Sequence, residues 1–366
     1  MGKIIKREKQ NFVVGMFTAL GSTDPYPALL VHALEQEGIS LKLVDSLSRA
    51  WLKANQGKID IIHFQWMISL YKSTNMLKEC KNVLAFIYFL SLMKRYKYKI
   101  VWTVHNIIPH EGRVFSHYYI GNFFLTRYAD ALIVHSEDTK KEIKKYYGRT
   151  KEIFVIPVTN YQDHNSKYDY TYSKKKAREE LGLPQDKFIY LYFGYVRKYK
   201  GVDIAIRAFQ RAQPNNSLFI IAGGYWTNKD KESTEALISG DPHILSFPQE
   251  LPAEKLYQYI IASDVIVLPY RRVTSSGAMV LALTFGKPII GMRKGVLNDW
   301  VSEKNGIPIE TEEELEKAFC DIQDKNLDAL SKASYAFSQT WSWQKIAKLY
   351  REVYERILSS KSRKNE

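Results

Sequence analysis

The second half of the chain contains a glycine-bounded turn with three cations, a combination that can bind a phosphate group. This turn, at 194–201, includes Arg197 and Lys200 and follows an apolar run at 188–193 that is typical of a buried strand. A turn that leads from a strand into a helix presents backbone N–H groups and the positive end of the helix dipole, and cations add charge-assisted hydrogen bonds. A solvated basic turn would have the same composition.

A second turn, with small and hydroxyl side chains, follows another apolar run at 265–268. Its backbone N–H groups and hydroxyls can reach a phosphate because no large side chain stands in the way. The candidate ligand-binding residues of this segment are Tyr270, Thr274, Ser275, Ser276 and Gly277. We expect both turns at the carboxyl edge of a sheet, where α/β folds bind their ligands.

Proton-transfer groups cluster in the first half of the chain. His105 and Asn106 end an apolar run, and His110 and Glu111 follow on the same loop. Glu111 or His110 could act as a general base for a hydroxyl nucleophile, while His105 could hydrogen-bond a ligand. In the alternative interpretation His105 and Asn106 only fix the loop and Glu111 is a surface charge. His135, at another strand end, is interpreted as structural.

Short β-branched and aromatic runs alternate with helical patterns along the whole chain, which predicts βαβ units. The predicted strands lie at 12–18, 40–44, 59–63, 100–105, 131–135 and 153–156, and then at 188–193, 217–222, 244–247, 265–268 and 288–291. A length of 366 residues favours two domains. We therefore predict an α/β fold with two Rossmann-like, doubly wound domains that face each other across a cleft.

The predicted boundaries follow from these two series. Residues 1–165 form the first domain, 166–185 a linker, and 186–342 the second domain, while a helix at 343–358 packs back on the first domain. The turn at 21–25 follows the first strand, so Gly21 and Ser22, together with Asn106, are candidate residues of the ligand-binding loops of the first domain.

Several motifs resemble those of GT-B glycosyltransferases, in particular bacterial capsule and exopolysaccharide enzymes of the group 1 or family 4 type. In the second half these motifs are FGYVRKYKG at 193–201, IAGG at 221–224, ASDVIVLPY at 262–270, SG at 276–277 and FGKPII at 285–290. In the first half they are HFQW at 63–66, WTVHN at 102–106, Pro-His-Glu at 109–111 and VHS at 134–136. WSWQK at 341–345 resembles the start of the family's C-terminal helix, which crosses back onto the first domain. The resemblance covers nearly the whole chain.

The resemblance implies that the second domain binds a UDP- or GDP-linked sugar, with Arg197 and Lys200 on the diphosphate and Ser276 and Gly277 nearby. It implies no cofactor and no metal, because fixed cations can stabilise the leaving nucleoside diphosphate. Many retaining members carry two glutamates that are separated by seven residues before Gly-Lys-Pro, and residues 273–283 contain no acid. The ribose contact and the stereochemical outcome therefore stay open.

The formal net charge is +14, and residues 1–165, with 23 basic and 14 acidic side chains, carry +9 of it. Such an imbalance suits an anionic partner. Lysines and arginines bracket the apolar run at 83–93, which is too short to span a bilayer. We expect this segment to contact anionic membrane, with burial as the alternative, and we expect no nucleic-acid partner because no nucleic-acid-binding motif appears.

The function expected from the sequence is transfer of a sugar from a nucleotide sugar to a lipid-linked or growing saccharide, in the assembly of surface glycans. A non-catalytic sugar-nucleotide-binding subunit and a GT-B nucleotide-sugar epimerase are the alternatives. The two cysteines, Cys80 and Cys320, are far apart and lack metal-ligand spacing. They favour a cytoplasmic protein, placed peripherally on the inner face of the plasma membrane.

Overall fold

Two parallel, six-stranded sheets organise the chain in the computed structural model, which describes residues 12–18, 25–67, 70, 73, 75–107, 117–162 and 172–360. One unit comprises Met1–His135, Lys140–Pro157 and Trp343–Glu366, and the other comprises Ser136–Thr139 and Val158–Ser342. Each sheet belongs to one unit.

The first sheet has the strand order β2-β1-β3-β4-β5-β6. Its strands are β1 (Val13–Phe17), β2 (Ser40–Leu43), β3 (Ile61–Phe64), β4 (Lys99–Thr103), β5 (Ala131–Val134) and β6 (Ile153–Val155). The central strands β3 and β5 are buried at every position, which explains why they read as continuous apolar runs rather than as alternating ones. The strand order reverses between β1 and β3, and this reversal marks the ligand-binding edge.

Helices cover the first sheet, and the last helix of the chain is one of them. They are α1 (Tyr26–Gln36), α2 (Arg49–Ala54), α3 (Met76–Arg95), α4 (His117–Tyr128), α5 (Glu137–Tyr147) and the C-terminal α14 (Trp343–Ser359). The last of these packs against α1, where the hydroxyls of Tyr26 and Tyr350 lie 3.0 Å apart in the core. Residues 343–359 are therefore part of the first unit, although 185 residues of the second unit precede them.

The second sheet has the order β12-β11-β10-β7-β8-β9. Its strands are β7 (Phe188–Phe193), β8 (Ser217–Ala222), β9 (Ile244–Phe247), β10 (Val265–Leu268), β11 (Ile289–Met292) and β12 (Gly306–Ile309). Its helices are α6 (Lys174–Leu181), α7 (Val202–Ala212), α8 (Asn228–Ile238), α9 (Ala253–Ala262), α10 (Gly277–Thr284), α11 (Val296–Trp300), α12 (Glu312–Asp321) and α13 (Leu327–Ser338). The order reverses between β7 and β10, so the two phosphate-binding candidates flank the reversal.

The two parallel sheets with flanking helices confirm the predicted α/β class with two Rossmann-like folds. Four of the five strands predicted in the second half have the predicted bounds, and the fifth is displaced by one residue. Strand β12 has no counterpart among the predicted strands. Among the described residues, α3 included, we find no helix long and apolar enough to cross a membrane.

The segment interpreted as a linker, 166–185, contains helix α6, and the second unit begins at Val158. Arg178 on this helix is buried, and its guanidinium donates to the carbonyl oxygens of Ala262, Gln185 and Lys187 at 2.9 Å each and to Asp264 Oδ2 at 2.7 Å. A guanidinium with four acceptors in place is a structural anchor. Residues 172–185 are therefore packed into the second unit.

We predict that Arg178→Met lowers the free energy of unfolding of the second unit by about 1–3 kcal/mol, because three carbonyl oxygens lose their donor, while Asp264 keeps Lys174 Nζ at 2.6 Å and Ile189 N–H at 2.7 Å. Urea denaturation would measure the change. The matched control is Arg211→Met, because Arg211 pairs with Glu316 at 2.6 Å on the surface, where ion pairs contribute little. Equal stability of both variants would contradict the anchoring role.

Candidate active site

The two predicted phosphate-binding segments meet at the carboxyl ends of the neighbouring strands β7 and β10. A single 3₁₀ turn, Lys198–Lys200, ends at Gly201, whose φ of 69° is in the left-handed region. A Cβ atom at Gly201 would lie 2.0 Å from the carbonyl oxygen of Pro269, so only glycine permits this approach. The N–H of Arg271 then donates to the Tyr199 carbonyl oxygen at 2.8 Å. The backbone therefore fixes one segment against the other.

Arg271 reinforces this junction with its side chain. Its two terminal nitrogens donate to the two carboxylate oxygens of Asp203 at 2.7 and 2.8 Å, and one of them also donates to the Lys198 carbonyl oxygen at 2.7 Å. Asp203 lies in the first turn of α7, three residues after Lys200. Arg271 thus binds both oxygens of Asp203, the carboxylate that is closest to Lys200 in the sequence.

Lys200 is the cation that this arrangement leaves for a ligand. Within the described part of the chain its ammonium has neither a hydrogen-bond partner nor a carboxylate within 4 Å. It makes a cation–π contact with the Tyr270 ring, whose centroid is 6.0 Å away. Burial, and then the nearby charge of Arg197, lower the pKa of Lys200 to about 8. An anion bound here would replace the missing solvation and raise that pKa.

Arg197 lies between two aromatic rings. Its guanidinium carbon is 4.2 Å from the ring centroid of Trp226 and 5.1 Å from that of Tyr199. Cation–π contacts with both rings restrict the side chain before any ligand binds. Trp226 is one of the residues that the sequence analysis did not select.

The second segment contributes small groups at the beginning of α10. Ser276 Oγ accepts a hydrogen bond from Met279 N–H at 3.1 Å, so this hydroxyl caps its own helix. Thr274 is buried, Ser275 half-buried and Gly277 exposed, while the Tyr270 ring lies in the core below Lys200. Burial raises the pKa of Tyr270 far above its ordinary value. The backbone N–H groups at the helix start remain the donors that a ligand can use.

Three buried histidines lie at the carboxyl edge of the first sheet, and Gln65 connects two of them, His63 and His105. Nε2 of His63 lies 2.8 Å from the Thr103 hydroxyl and 3.2 Å from the Gln65 amide nitrogen, and its Nδ1 lies 2.6 Å from the Tyr354 hydroxyl. His105 Nε2–H donates to the Gln65 carbonyl oxygen at 2.8 Å. His135 Nδ1–H donates to the Ile156 carbonyl oxygen at 2.9 Å. His105 and His135 therefore have defined tautomers.

Burial keeps all three imidazoles neutral. It lowers the pKa of His63 to about 3 and that of His135 to about 4, and with the neighbouring His135 and His63 it lowers the pKa of His105 well below its ordinary value. Because the proton of His105 is on Nε2, its Nδ1 is a hydrogen-bond acceptor. This arrangement favours a role in which His105 accepts a hydrogen bond from a ligand hydroxyl group over one in which His105 removes the proton of that hydroxyl group.

Aromatic side chains hold the His105 ring in place. Trp66 stacks on it at 3.9 Å with an interplanar angle of 7°, and Tyr26 contacts it edge-on at 5.4 Å. Nε2 of His135 is buried and has no hydrogen-bond partner in the described part of the chain, a cost that is tolerated only by a neutral ring. The pair His105 and His135, with centroids 5.2 Å apart, is uncharged and buried.

The loop after β4 is tied to α4. Tyr118 Oη donates to the Asn106 carbonyl oxygen at 3.1 Å, and Asn122 Nδ2 donates to the Ile107 carbonyl oxygen at 3.0 Å. These bonds engage the backbone of Asn106 and Ile107, so the role of the Asn106 side chain stays a prediction. His110, Glu111, Gly21 and Ser22 lie outside the described residues, so their roles stay predictions.

Three residue groups at the carboxyl edge of one sheet or the other were not predicted from the sequence as site residues. They are His63, Gln65 and Trp66 at the end of β3, Asp203 and Arg271 at the β7–β10 junction, and Tyr195, Trp226 and Glu250 after β7, β8 and β9. Their only common signal is a position within a few residues of a strand end.

Comparison with known proteins places the chain among sugar transferases. The family model "Glycosyl transferases group 1" matches residues 173–335, and "Glycosyltransferase Family 4" matches residues 28–158. A GDP-mannose:glycolipid 4-beta-D-mannosyltransferase from Xanthomonas campestris pv. campestris is 22% identical over 269 residues, which are 74% of this chain and 70% of the relative.

Two solved structures share the architecture. Sucrose-phosphate synthase from Thermosynechococcus elongatus has a TM-score of 0.73 at 16% identity, over 96% of this chain and 100% of that chain. Anabaena HepE in complex with UDP-glucose has a TM-score of 0.68 at 15% identity, over 95% of this chain and 100% of that chain. At these identities the likeness is one of fold, and it confirms the predicted GT-B class.

We predict that affinity for pyrophosphate falls as the pH rises through about 8, because Lys200 loses its proton there in the free protein. Lys200→Met should weaken binding at pH 7 by about 10–100-fold, as expected for one charge-assisted hydrogen bond, and should remove this pH dependence. Isothermal titration between pH 7 and 9.5 would measure both effects.

The matched control for this experiment is Lys198→Met, since Lys198 belongs to the same turn and its side chain is exposed. It should bind pyrophosphate nearly as the wild type does. A wild-type affinity that is constant from pH 7 to 9.5 would contradict the assignment of Lys200.

Proposed function

We propose, from the premise that this chain belongs to the group 1 glycosyltransferases and uses a nucleotide-sugar donor, that it transfers the sugar to a lipid-linked or growing saccharide acceptor in surface glycan synthesis. The observation that carries the proposal is the half-buried Lys200, whose ammonium has no carboxylate partner in the described part of the chain and lies beside Arg197 at the β7–β10 junction. Such a group is suited to a diphosphate.

Lys200 and Arg197 would act on the leaving group. The nucleoside diphosphate gains negative charge as the glycosidic bond breaks, so cations that are fixed beforehand stabilise the transition state more than the ground state. Arg197 is restrained by two rings and Lys200 by its half-buried position. We therefore propose that transfer does not depend on a metal ion.

The acceptor side of the proposal is supported by the chemistry of the first sheet and by one relative. The name of the Xanthomonas relative gives a glycolipid as its acceptor and GDP-mannose as its donor. In this chain the neutral His105 offers Nδ1 to a hydroxyl group. We propose Glu111 or His110 as the base if the configuration at the anomeric carbon inverts; a retained configuration would not need that base.

The direct test is acceptor-dependent release of a nucleoside diphosphate from a panel of UDP- and GDP-sugars, with and without EDTA. We expect release only when a polyprenol-linked saccharide is present, and no loss with EDTA. Glu111→Gln or His110→Ala should lower the transfer rate by about 10²–10⁴-fold with donor affinity unchanged, as expected for loss of a positioned base.

Other outcomes of this test separate the alternative functions. Donor binding without turnover would favour a non-catalytic subunit, and conversion of the sugar within the nucleotide sugar would favour an epimerase. Normal rates for Glu111→Gln, His110→Ala and His105→Ala together would exclude this loop from the chemistry.

Helix α3 has an outward face that fits peripheral contact with anionic lipid on the inner side of the plasma membrane. Val83, Phe86 and Leu90 face the core, whereas Leu77 is 72% exposed and Leu84 is 67% exposed. The same outward face carries Lys78, Lys81 and Arg95, whose side chains have no ion pair in the described part of the chain. Apolar groups flanked by cations are typical of helices that lie in a headgroup layer.

Two further lysines of this region are paired with a carboxylate. Lys94 and Lys99 bind Asp130 at 2.5 and 3.5 Å. These ion pairs attach the end of α3 to the sheet, so we do not count Lys94 and Lys99 among the cations of the outward face. The structure thus divides the basic segment into structural cations and cations that are available to lipid.

We predict that the triple change Lys78→Glu, Lys81→Glu and Arg95→Glu releases the protein from liposomes of mixed neutral and anionic lipid. Each cation near such a surface contributes about 1 kcal/mol, so loss of three lowers partitioning at least ~100-fold. Liposome flotation would measure it. The charge-matched control is Lys141→Glu, Lys144→Glu and Lys145→Glu on α5; equal release by both triples would mean that net charge, and not α3, drives binding.

A further inference from the structure

Two large aromatic side chains are exposed at the carboxyl edge of the second sheet, next to the cationic turn. Tyr195 follows β7 and is 36% exposed, and Trp226 follows β8 and is 49% exposed. Their rings meet edge to face at 5.7 Å. Exposed tryptophan beside a phosphate-binding turn provides a flat apolar surface within reach of whatever group the diphosphate carries.

The backbone holds this aromatic surface in place. Trp226 N–H donates to the Val196 carbonyl oxygen at 3.1 Å, and Val196 N–H donates to the Gly224 carbonyl oxygen at 2.8 Å. These bonds extend the β7–β8 pairing beyond the strand ends. Because Arg197 also contacts the Trp226 ring, the surface is continuous with the proposed diphosphate site.

A carboxylate from the next strand completes the group. Glu250 follows β9, and its Oε2 accepts the Tyr195 hydroxyl at 2.8 Å. A Cβ at Gly224 would lie 3.4 Å from the Tyr195 ring and 3.5 Å from Glu250 N, so the absence of a side chain there lets the three strand ends approach one another. No cation pairs with Glu250 among the residues that the structure describes.

The chemistry of this group matches one nucleobase better than the others. An ionised carboxylate only accepts hydrogen bonds, and its two oxygens accept several. Guanine presents two adjacent donors, N1–H and the N2 amino group, which a carboxylate can accept together. Uracil presents N3–H between two carbonyl oxygens, and adenine presents an acceptor beside its amino group, so both would direct a lone pair at the negative charge.

We propose that Tyr195, Trp226 and Glu250 form the subsite for the base of the donor nucleotide, and that Glu250 selects guanine, so that the donor is a GDP-linked sugar. This inference rests on the proposed function. A base fits this surface better than the donor's sugar does, because a base is planar and its polar edge can pair with a fixed carboxylate. The small groups of 274–277, on the other side of Lys200, suit sugar hydroxyls instead.

The experiment is titration of the full chain with GDP, UDP, ADP and pyrophosphate at pH 7. We expect GDP to bind at least about 10-fold more tightly than UDP or ADP. Glu250→Gln should weaken GDP by about 10–100-fold, as expected for loss of hydrogen bonds to a charged group, while UDP and pyrophosphate change less than about 3-fold. Trp226→Ala should weaken GDP and UDP alike, by about 10-fold or more, through loss of stacking.

The matched control is Glu303→Gln, because Glu303 is exposed and precedes β12, at the opposite edge of the sheet. It should leave every affinity unchanged. UDP or ADP binding as tightly as GDP to the wild type, or an unchanged GDP preference in Glu250→Gln, would overturn the inference and leave the proposed function intact. GDP binding that is unaffected by Trp226→Ala would likewise overturn it and assign the surface to a saccharide.

Failure of the proposed function has a different signature. In that case neither the nucleoside diphosphates nor pyrophosphate would bind the wild-type chain, and both ideas would be rejected together.

Discussion

The half-buried position of Lys200 without a carboxylate partner in the described part of the chain is the constraint around which the carboxyl edge of the second sheet is arranged. A buried charge is costly unless it is paired, and Asp203, three residues further on, could have paired with it. The bidentate contact with Arg271 engages both oxygens of that carboxylate. The fold thus maintains an unneutralised cation at the point where the strand order reverses, and it does so by giving the nearest acid another partner.

The same contacts explain why the site is formed before a ligand binds. Gly201 allows the β7 turn to touch Pro269, and Arg271 fixes the turn to the β10 segment through both backbone and side chain. Arg197 is restrained by two aromatic rings. Little side-chain freedom then remains to be lost when a diphosphate arrives, which favours binding and, in a transfer reaction, stabilisation of the leaving group.

The sequence predicted the elements whose pattern is local. Strands such as β7 and β8 are continuous apolar runs, so their bounds could be read directly. Helix α8 was missed because Thr234 is its one buried residue, which leaves no apolar period to detect; its capping box of Thr227 and Asp230 was the available signal. Helix α6 was interpreted as linker for a similar reason, since a buried arginine rather than an apolar stripe attaches it to the sheet.

In the candidate site, too, the sequence predicted the local features and could not show the long-range contacts. The spacing of Arg197 and Lys200 after a strand correctly predicted that they lie at a strand end, but it could not show which cations are paired. That depends on contacts such as Arg271 with Asp203, which are 68 residues apart. Trp226 and Glu250 follow different strands, and only the β7-β8-β9 order brings them to Tyr195. Long-range neighbours of this kind leave no periodic trace in the sequence.

The carboxyl edges of the two sheets differ in charge, and one pH range keeps the histidines of the first neutral and the lysine of the second charged. The first sheet presents imidazoles that stay neutral because burial lowers the pKa of His63 to about 3 and of His135 to about 4. Their unfolded counterparts take up a proton near pH 6.5, so these histidines make the folded state less stable as the pH falls below that value. The second sheet presents Lys200, which stays charged up to a pH of about 8. Between about pH 6.5 and 8 the histidines therefore impose no folding penalty while the lysine still carries its charge, so neutral imidazoles at the first sheet and a cationic turn at the second sheet coexist in this range.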